Sequence, residues 1–164
     1  MEEAKYTISI LVNNKPGVLV RLAQTFARRG YNVDSLVVSP THDPRFSFMT
    51  VVTQGEPDTF DQILRQLNKL VDVVHATHHL PQNAVERELA LFKVRADAQR
   101  RTEVFQIADV FRAKTVDITD RSLIIEATGD SRKIDALEGI LATIGILEMV
   151  RSGKLIMARG IEET

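Results

Sequence analysis

Residues 6–33 read YTISILVNNKPGVLVRLAQTFARRGYNV, and this stretch decides the fold. Tyr6, Ile8, Ile10 and Val12 recur at every second position, the period of a strand with one buried face. Asn13-Asn14-Lys15-Pro16-Gly17 is dense in turn formers. From Val18 the period lengthens: Leu19, Leu22, Ala23 and Phe26 fall at i, i+3, i+4 and i+7, one face of a helix. Arg28, Arg29 and Gly30 suit that helix's end, cations for the dipole and glycine for a left-handed stop. Val33 to Val38 resumes the strand pattern. The stretch is therefore strand, helix, strand.

Working outward, Pro40 to Pro44 is a turn cluster and Phe46 to Thr53 a third strand. Phe60, Ile63, Leu64, Leu67 and Leu70 mark a second amphipathic helix, with Asp58 or Thr59 as its cap. Val71 to Leu80 holds a fourth strand. The first half thus has the order β-α-β-β-α-β. Residues 81–84 read as a linker, and the order then repeats. Glu86 to Arg95 is a strand, and a helix carries Val104, Ile107, Ala108 and Phe111. Thr115 to Thr119 and Ser122 to Thr128 are strands joined at Asp120-Arg121. Ile134, Leu137, Leu141 and Ile144 mark a helix, and Ile146 to Ala158 holds a last strand or hairpin. Leu22-Ala23-x-x-Phe26 echoes Ile107-Ala108-x-x-Phe111 at an offset of 85 residues. The order predicts an α+β protein of two domains, 4–80 and 85–160, each an antiparallel four-stranded sheet with two helices on one face. A unit of about 75–80 residues buries only roughly 60% of its surface and leaves strand edges and a sheet face open. An oligomer in which edges pair between chains is the expected remedy.

The 164 residues are 44% hydrophobic and 26% charged, with 21 Lys and Arg against 22 Asp and Glu. That balance argues against binding of a nucleic-acid backbone, which needs a basic excess. There is no cysteine, hence no thiolate nucleophile and no Cys-based zinc site. The start, MEEAKYTISI, is acidic and strand-like rather than a signal peptide, and no apolar run approaches the ~20 residues of a membrane span. A cytoplasmic protein follows by default.

Few residues carry chemistry. His75, His78 and His79 do not converge on a strand, where 75 and 79 share a face and 78 points away, so no metal site is expected. No Gly-x-Ser-x-Gly elbow, phosphate loop or carboxylate pair is present. The loop Asn13–Gly17 ends a strand and opens a helix, where free N–H groups and the positive dipole end suit a carboxylate. Gly17 lets backbone approach a ligand, and Asn14 can cap the helix or bind that ligand. Chemistry alone favours the plainer use of these residues as a turn. Asn32 carries both donor and acceptor and can read an ammonium or carboxylate, or serve a turn. Arg95, Arg100 and Arg101 make a local basic patch, either solvated or a partner contact.

These residues do resemble a known family. Asn14-Lys-Pro-Gly17-Val-Leu-Val-Arg21, the run Phe26-Ala-Arg-Arg-Gly-Tyr-Asn-Val-Asp-Ser-Leu36, Val38-Ser-Pro-Thr41 and Met49-Thr50 are similar to the small, regulatory subunit of acetolactate synthase (acetohydroxyacid synthase). Gln66 to Val73, Val85 to Leu89 and Val150 to Gly153 fit the same family. Phe48 departs from it, since members often carry Arg before the Met-Thr pair. The resemblance implies two ferredoxin-like domains, an ACT domain and an ACT-like one. It implies a homodimer with ACT domains side by side and effector, usually valine, bound between them. It implies no catalysis by this chain: it activates a separate catalytic subunit and confers feedback inhibition in branched-chain amino-acid biosynthesis. Thiamine diphosphate, Mg²⁺ and FAD belong to that catalytic subunit. The family's effector pattern falls on Asn14, Gly17, Val18, Leu19, Asn32 and Val33. The second half has Asp97-Ala-Gln-Arg-Arg101 in place of the Asn-x-x-Gly loop, so no second effector site is expected there. A stand-alone amino-acid-sensing ACT regulator is the alternative.

Overall fold

A computed structural model describes residues 4–164. The order is β1 (Ala4–Asn13), α1 (Val18–Arg28), β2 (Asn32–Pro40), β3 (Phe46–Gly55), α2 (Pro57–Leu67) and β4 (Val73–His78). A 3₁₀ turn (Pro81–Asn83) then leads straight into β5 (Ala84–Arg95), so the expected linker is a structured turn. There follow α3 (Arg101–Val110), β6 (Lys114–Ile118), β7 (Ser122–Gly129), α4 (Ser131–Ile144), β8 (Ile146–Arg151) and β9 (Leu155–Ala158). The chain forms two compact units: residues up to Val85 together with Lys154–Thr164, and Glu86–Gly153.

In the first unit the sheet runs β2-β3-β1-β4, all antiparallel. Ile8, Ile10 and Val12 stand on one face of β1 because side chains alternate along a strand. They pack with Val18, Leu22 and Phe26 of α1 and Phe60, Ile63 and Leu67 of α2. Fully burying side chains of this kind stabilises by about 1.5–3 kcal/mol each. The buried stripe of α1 is Val18, Leu22 and Phe26: Leu22 and Phe26 are buried as expected, while Val18 takes the place of Leu19 and Ala23 is exposed. The helix begins at Val18, which turns Leu19 away from the core, 44% exposed. The end of α1 follows expectation, with Gly30 at φ +71°. α2 is capped two residues before Asp58 and three before Thr59. Its N-cap is Glu56, and Pro57 takes the first helical position, where its missing N–H costs nothing. Tyr31 is buried and its hydroxyl donates to the Glu56 carbonyl at 2.9 Å, with the ring pressed against Gly55.

The second unit repeats the plan with the order β6-β7-β5-β8. Ala90, Phe92 and Val94 of β5 form its core with Val104 and Ala108 of α3 and Ile134, Leu137 and Leu141 of α4. Asp130 caps α4 by accepting the Lys133 N–H at 2.9 Å, which holds its carboxyl below the ordinary value. Under α4, buried Glu88 pairs with Arg151, which also reaches Asp135 and Glu138. The stretch 146–158 breaks into β8 and β9 around Gly153, at φ +85°.

Candidate functional site

The loop between β1 and α1 is tied from both sides. The Asn13 N–H donates to the Asp72 carbonyl and the Asn14 N–H to the Arg45 carbonyl, both at 2.8 Å. The side-chain amide of Asn14 donates to the Pro44 carbonyl at 3.0 Å instead of capping α1. The cap is Gly17 itself, at φ +83°, and no side chain takes the first N–H groups of the helix. The Val18 N–H makes only a long 3.5 Å bond to the Lys15 carbonyl. An open helix N-terminus and a residue without Cβ thus stand together.

Arg21 lies one turn along on the same face. Its Nη1 is 3.3 Å from where a Gly17 Cβ would stand, so the guanidinium covers the glycine. Its Nη2 pairs with Asp72. That pairing foremost, with help from Asn13, holds the Asp72 carboxyl below its usual value. Beside the pair is a cavity of about 170 Å³, walled by Val18 and Leu22 of α1 and by Leu70 and Val73.

Asn32 and Val33 are elsewhere. Asn32 pairs with Gln54 on β3, whereas the loop end of the sheet pairs Pro40 and Val12 with Ser47. The two levels are seven β3 residues apart, roughly 23 Å at about 3.3 Å per strand residue. The Asn32 amide donates to Asp34 at 3.1 Å, and Asp34 also accepts from Gln54 at 2.5 Å. Val33 is 36% exposed. One chain therefore brings Asn14, Gly17, Val18 and Leu19 together and holds Asn32 and Val33 at the opposite end of its sheet.

Comparison with known proteins decides what this arrangement belongs to. Residues 8–75 match the ACT domain of acetohydroxyacid synthase small subunit-like proteins, and residues 87–160 match the small subunit of acetolactate synthase. A probable acetolactate synthase small subunit of Archaeoglobus fulgidus is 42% identical over 95% of this chain and 98% of its own. The acetolactate synthase small subunit of Mycolicibacterium smegmatis is 45% identical over 94% of this chain and 91% of its own. The crystal structure of the small subunit from Thermotoga maritima superposes with a TM-score of 0.85, at 40% identity, covering 96% of this chain and 98% of that one. The chain belongs to the acetolactate synthase small-subunit family.

The ACT stretch, residues 8–75, covers the helices and most of the sheet of the first unit, so the loop and β2 both lie within it. His75, His78 and His79 make contacts within the first unit. His79 is buried and bonded to the Ser9 hydroxyl at 2.5 Å, and His75 bonds to Thr77. His78 stands edge-on to Tyr6 and Phe60, which stack at 3.8 Å. Among the described residues no group of three His, Cys, Asp or Glu is placed to hold a metal ion, and no helix is long and apolar enough to cross a membrane. The second unit's corresponding loop turns on Asp97, which accepts from the Gln99 and Arg100 N–H groups. Arg100 and Arg101 are used on the Ile144 and Thr119 carbonyls, at 3.3 and 2.5 Å. Sequence reading did not anticipate the Arg21–Asp72 pair. Arg21 at i+4 from Gly17 had a signal, since residues so spaced share a helix face. Asp72, 51 residues from Arg21, had none.

Proposed function

We propose that this acetolactate synthase small subunit is a non-catalytic regulator. It activates the catalytic subunit and makes it sensitive to feedback by valine, the end product of branched-chain amino-acid biosynthesis. Thiamine diphosphate, Mg²⁺ and FAD are assigned to the catalytic subunit. The observation that carries the reading is the separation of Asn14–Leu19 from Asn32 and Val33 at opposite ends of one sheet. Within one copy they cannot meet. β2 is an edge strand, with Leu36 and Val38 about two-fifths exposed beside Val33. Such an edge invites pairing with a second copy. A two-fold pairing of one edge with itself is antiparallel, so the start of one β2 lies near the end of the other. That brings Asn32 and Val33 of one chain towards the first loop of its partner.

In this homodimer the amides at Gly17 and Val18 hold the valine carboxylate. Asn14 and Asn32 take the polar head from the two chains. Leu19 and Val33 face the side chain, worth ~1–3 kcal/mol against a ligand lacking it. Valine shifts the dimer towards an arrangement that supports the catalytic subunit less well, by its differential affinity for the two arrangements. The second unit is read as structural or partner-contacting. The test is reconstitution with the catalytic subunit, assayed with and without valine. Activation by the chain and its loss with valine are expected. No activation and no valine effect overturn the reading.

A further inference from the structure

The outer side of α1 and the turn from α2 into β4 carry features that the effector pattern does not use. From Ala4 to Val33 the sequence holds five cations, Lys5, Lys15, Arg21, Arg28 and Arg29, and no Asp or Glu, although the whole chain sets 21 cations against 22 anions. Arg21 is paired with Asp72, and Arg29 donates to Gln62 at 3.0 Å. Lys15 stands near enough to Asp72 to help keep its carboxyl ionised. Arg28 is seven residues beyond Arg21 and so shares its helix face, and Lys69 adjoins Leu70. Lys15, Arg28 and Lys69 are exposed, and none of them has an ion pair among the described residues. Beside these cations is the cavity of about 170 Å³ walled by Val18, Leu22, Leu70 and Val73. Val71 also lines it and is 96% exposed. An aliphatic side chain held in water at the mouth of an apolar cavity is a surface suited to being covered.

Charge decides what can cover it. A second copy meeting this face across a two-fold axis would set Lys15, Arg28 and Lys69 against themselves, and like charges brought together oppose pairing. The complementary partner presents an aliphatic side chain among carboxylates. We propose that this face docks an acidic segment of the catalytic subunit, with one aliphatic side chain of that segment in the cavity and its carboxylates against Lys15, Arg28 and Lys69. At about 170 Å³ the cavity is well below the roughly 300–1,000 Å³ of sites for drug-sized ligands, so it takes one side chain and not a stretch of chain. Val71 packs on the same segment. The cations steer the encounter and fix its register, and the apolar contact supplies the affinity. Val18 belongs both to this cavity and to the first loop, so the partner seats on the helix whose start holds the effector.

This inference rests on the reading of the chain as the regulator of a separate catalytic subunit. The experiment titrates the full-length chain into the catalytic subunit and reads the concentration that gives half-maximal activation, with calorimetry of valine on the free chain beside it. Val71→Ser, Lys69→Glu and Arg28→Glu alter side chains exposed in the folded chain, and a melting curve checks that each variant folds. Each is expected to raise that concentration roughly tenfold, the worth of one interface contact of about 1.4 kcal/mol, and to leave valine affinity unchanged. Val71→Thr and Lys69→Gln make the same test by smaller changes. Added salt should narrow the gap between the parent and the two charge variants, because exposed charges are screened, and leave the gap to Val71→Ser. Arg121→Glu, an exposed cation at the β6–β7 turn of the second unit, should match the parent. Half-maximal activation within about twofold of the parent in Val71→Ser, or in both charge variants, overturns the inference, and so does an equal loss in Arg121→Glu. A variant that changes the chain's own association in sedimentation assigns the face to a second copy and overturns it as well. In each of these cases the regulatory reading stands. A parent that does not activate the catalytic subunit removes both.

Discussion

Gly17→Asp perturbs the first loop at its most constrained residue. Gly17 sits at φ +83°, and a Cβ there would come within 3.3 Å of Arg21 Nη1. A residue with a Cβ in the left-handed region costs about 1–2 kcal/mol, with Asp among the better tolerated. That cost falls on the stability of the first unit. At roughly 4–8 °C per kcal/mol for a domain of this size, the melting temperature drops measurably but the protein stays folded. The added carboxylate acts on binding. It stands beside the guanidinium and the first amides of α1, where the effector carboxylate is proposed to dock. One charged hydrogen bond is worth roughly 1.5–3 kcal/mol, so the loss of one weakens valine about 10- to 150-fold. Calorimetry with valine reads the affinity, and the reconstituted complex reads its consequence. Activation of the catalytic subunit should survive while inhibition by valine disappears. Gly17→Ala separates strain from charge, since it adds the Cβ alone, and should bind valine more tightly than Gly17→Asp. A folded Gly17→Asp chain that binds valine like the parent would refute the assignment.

Three further outcomes follow from packing and charge. Burial foremost holds His78 and His79 below the ordinary 6.5, His79 with His78 and His75 adding to the effect, and Asp61 alone opposing at His78. The folded chain therefore binds fewer protons than the unfolded one, so stability is full above about pH 6.5 and falls as pH drops through and below it. Melting curves between pH 7.5 and 5.5 should show the decline, shallower in His78→Phe; a flat profile contradicts it. Gly55→Ala drives a Cβ to 2.2 Å from the ring of buried Tyr31 and should cost about 1–3 kcal/mol, read from the urea midpoint. Arg151→Ala strands buried Glu88 without its cation and should cost about 3–5 kcal/mol by the same measurement, whereas a loss below 1 kcal/mol would contradict it.

The strands and helices were legible because each buries one face, and the periods of Ile8-Ile10-Val12 and Phe60-Ile63-Leu67 state which face directly. What was misjudged depended on where a period starts. Leu19 fits the helical spacing as well as Val18 does, and only the onset of α1 at Gly17 chooses between them. Asp58 has the chemistry of a cap, but Pro57 prefers the first helical position and moves the cap to Glu56. Within the site, Gly17 could be read from its neighbours in sequence. The partners of Asn14 and Arg21 could not. Pro44 and Asp72 reach them only through β3 and β4 lying on either side of β1, with a register shift at Leu11/Val12. Pairings set by strand order leave no local pattern to read.

The distance between the two ends of the first sheet has a genetic meaning. If each effector site takes its loop from one chain and its Asn32 from the other, a dimer holds two sites and every chain contributes to both. A chain altered in the loop and joined to an unaltered partner still leaves one site whole, so desensitisation by such a change is incomplete in a mixed population. Two chains that each fail alone, one altered at Gly17 and one at Asn32, rebuild one whole site between them when they pair. Sensitivity to the end product is then a property of pairs of chains rather than of any single one.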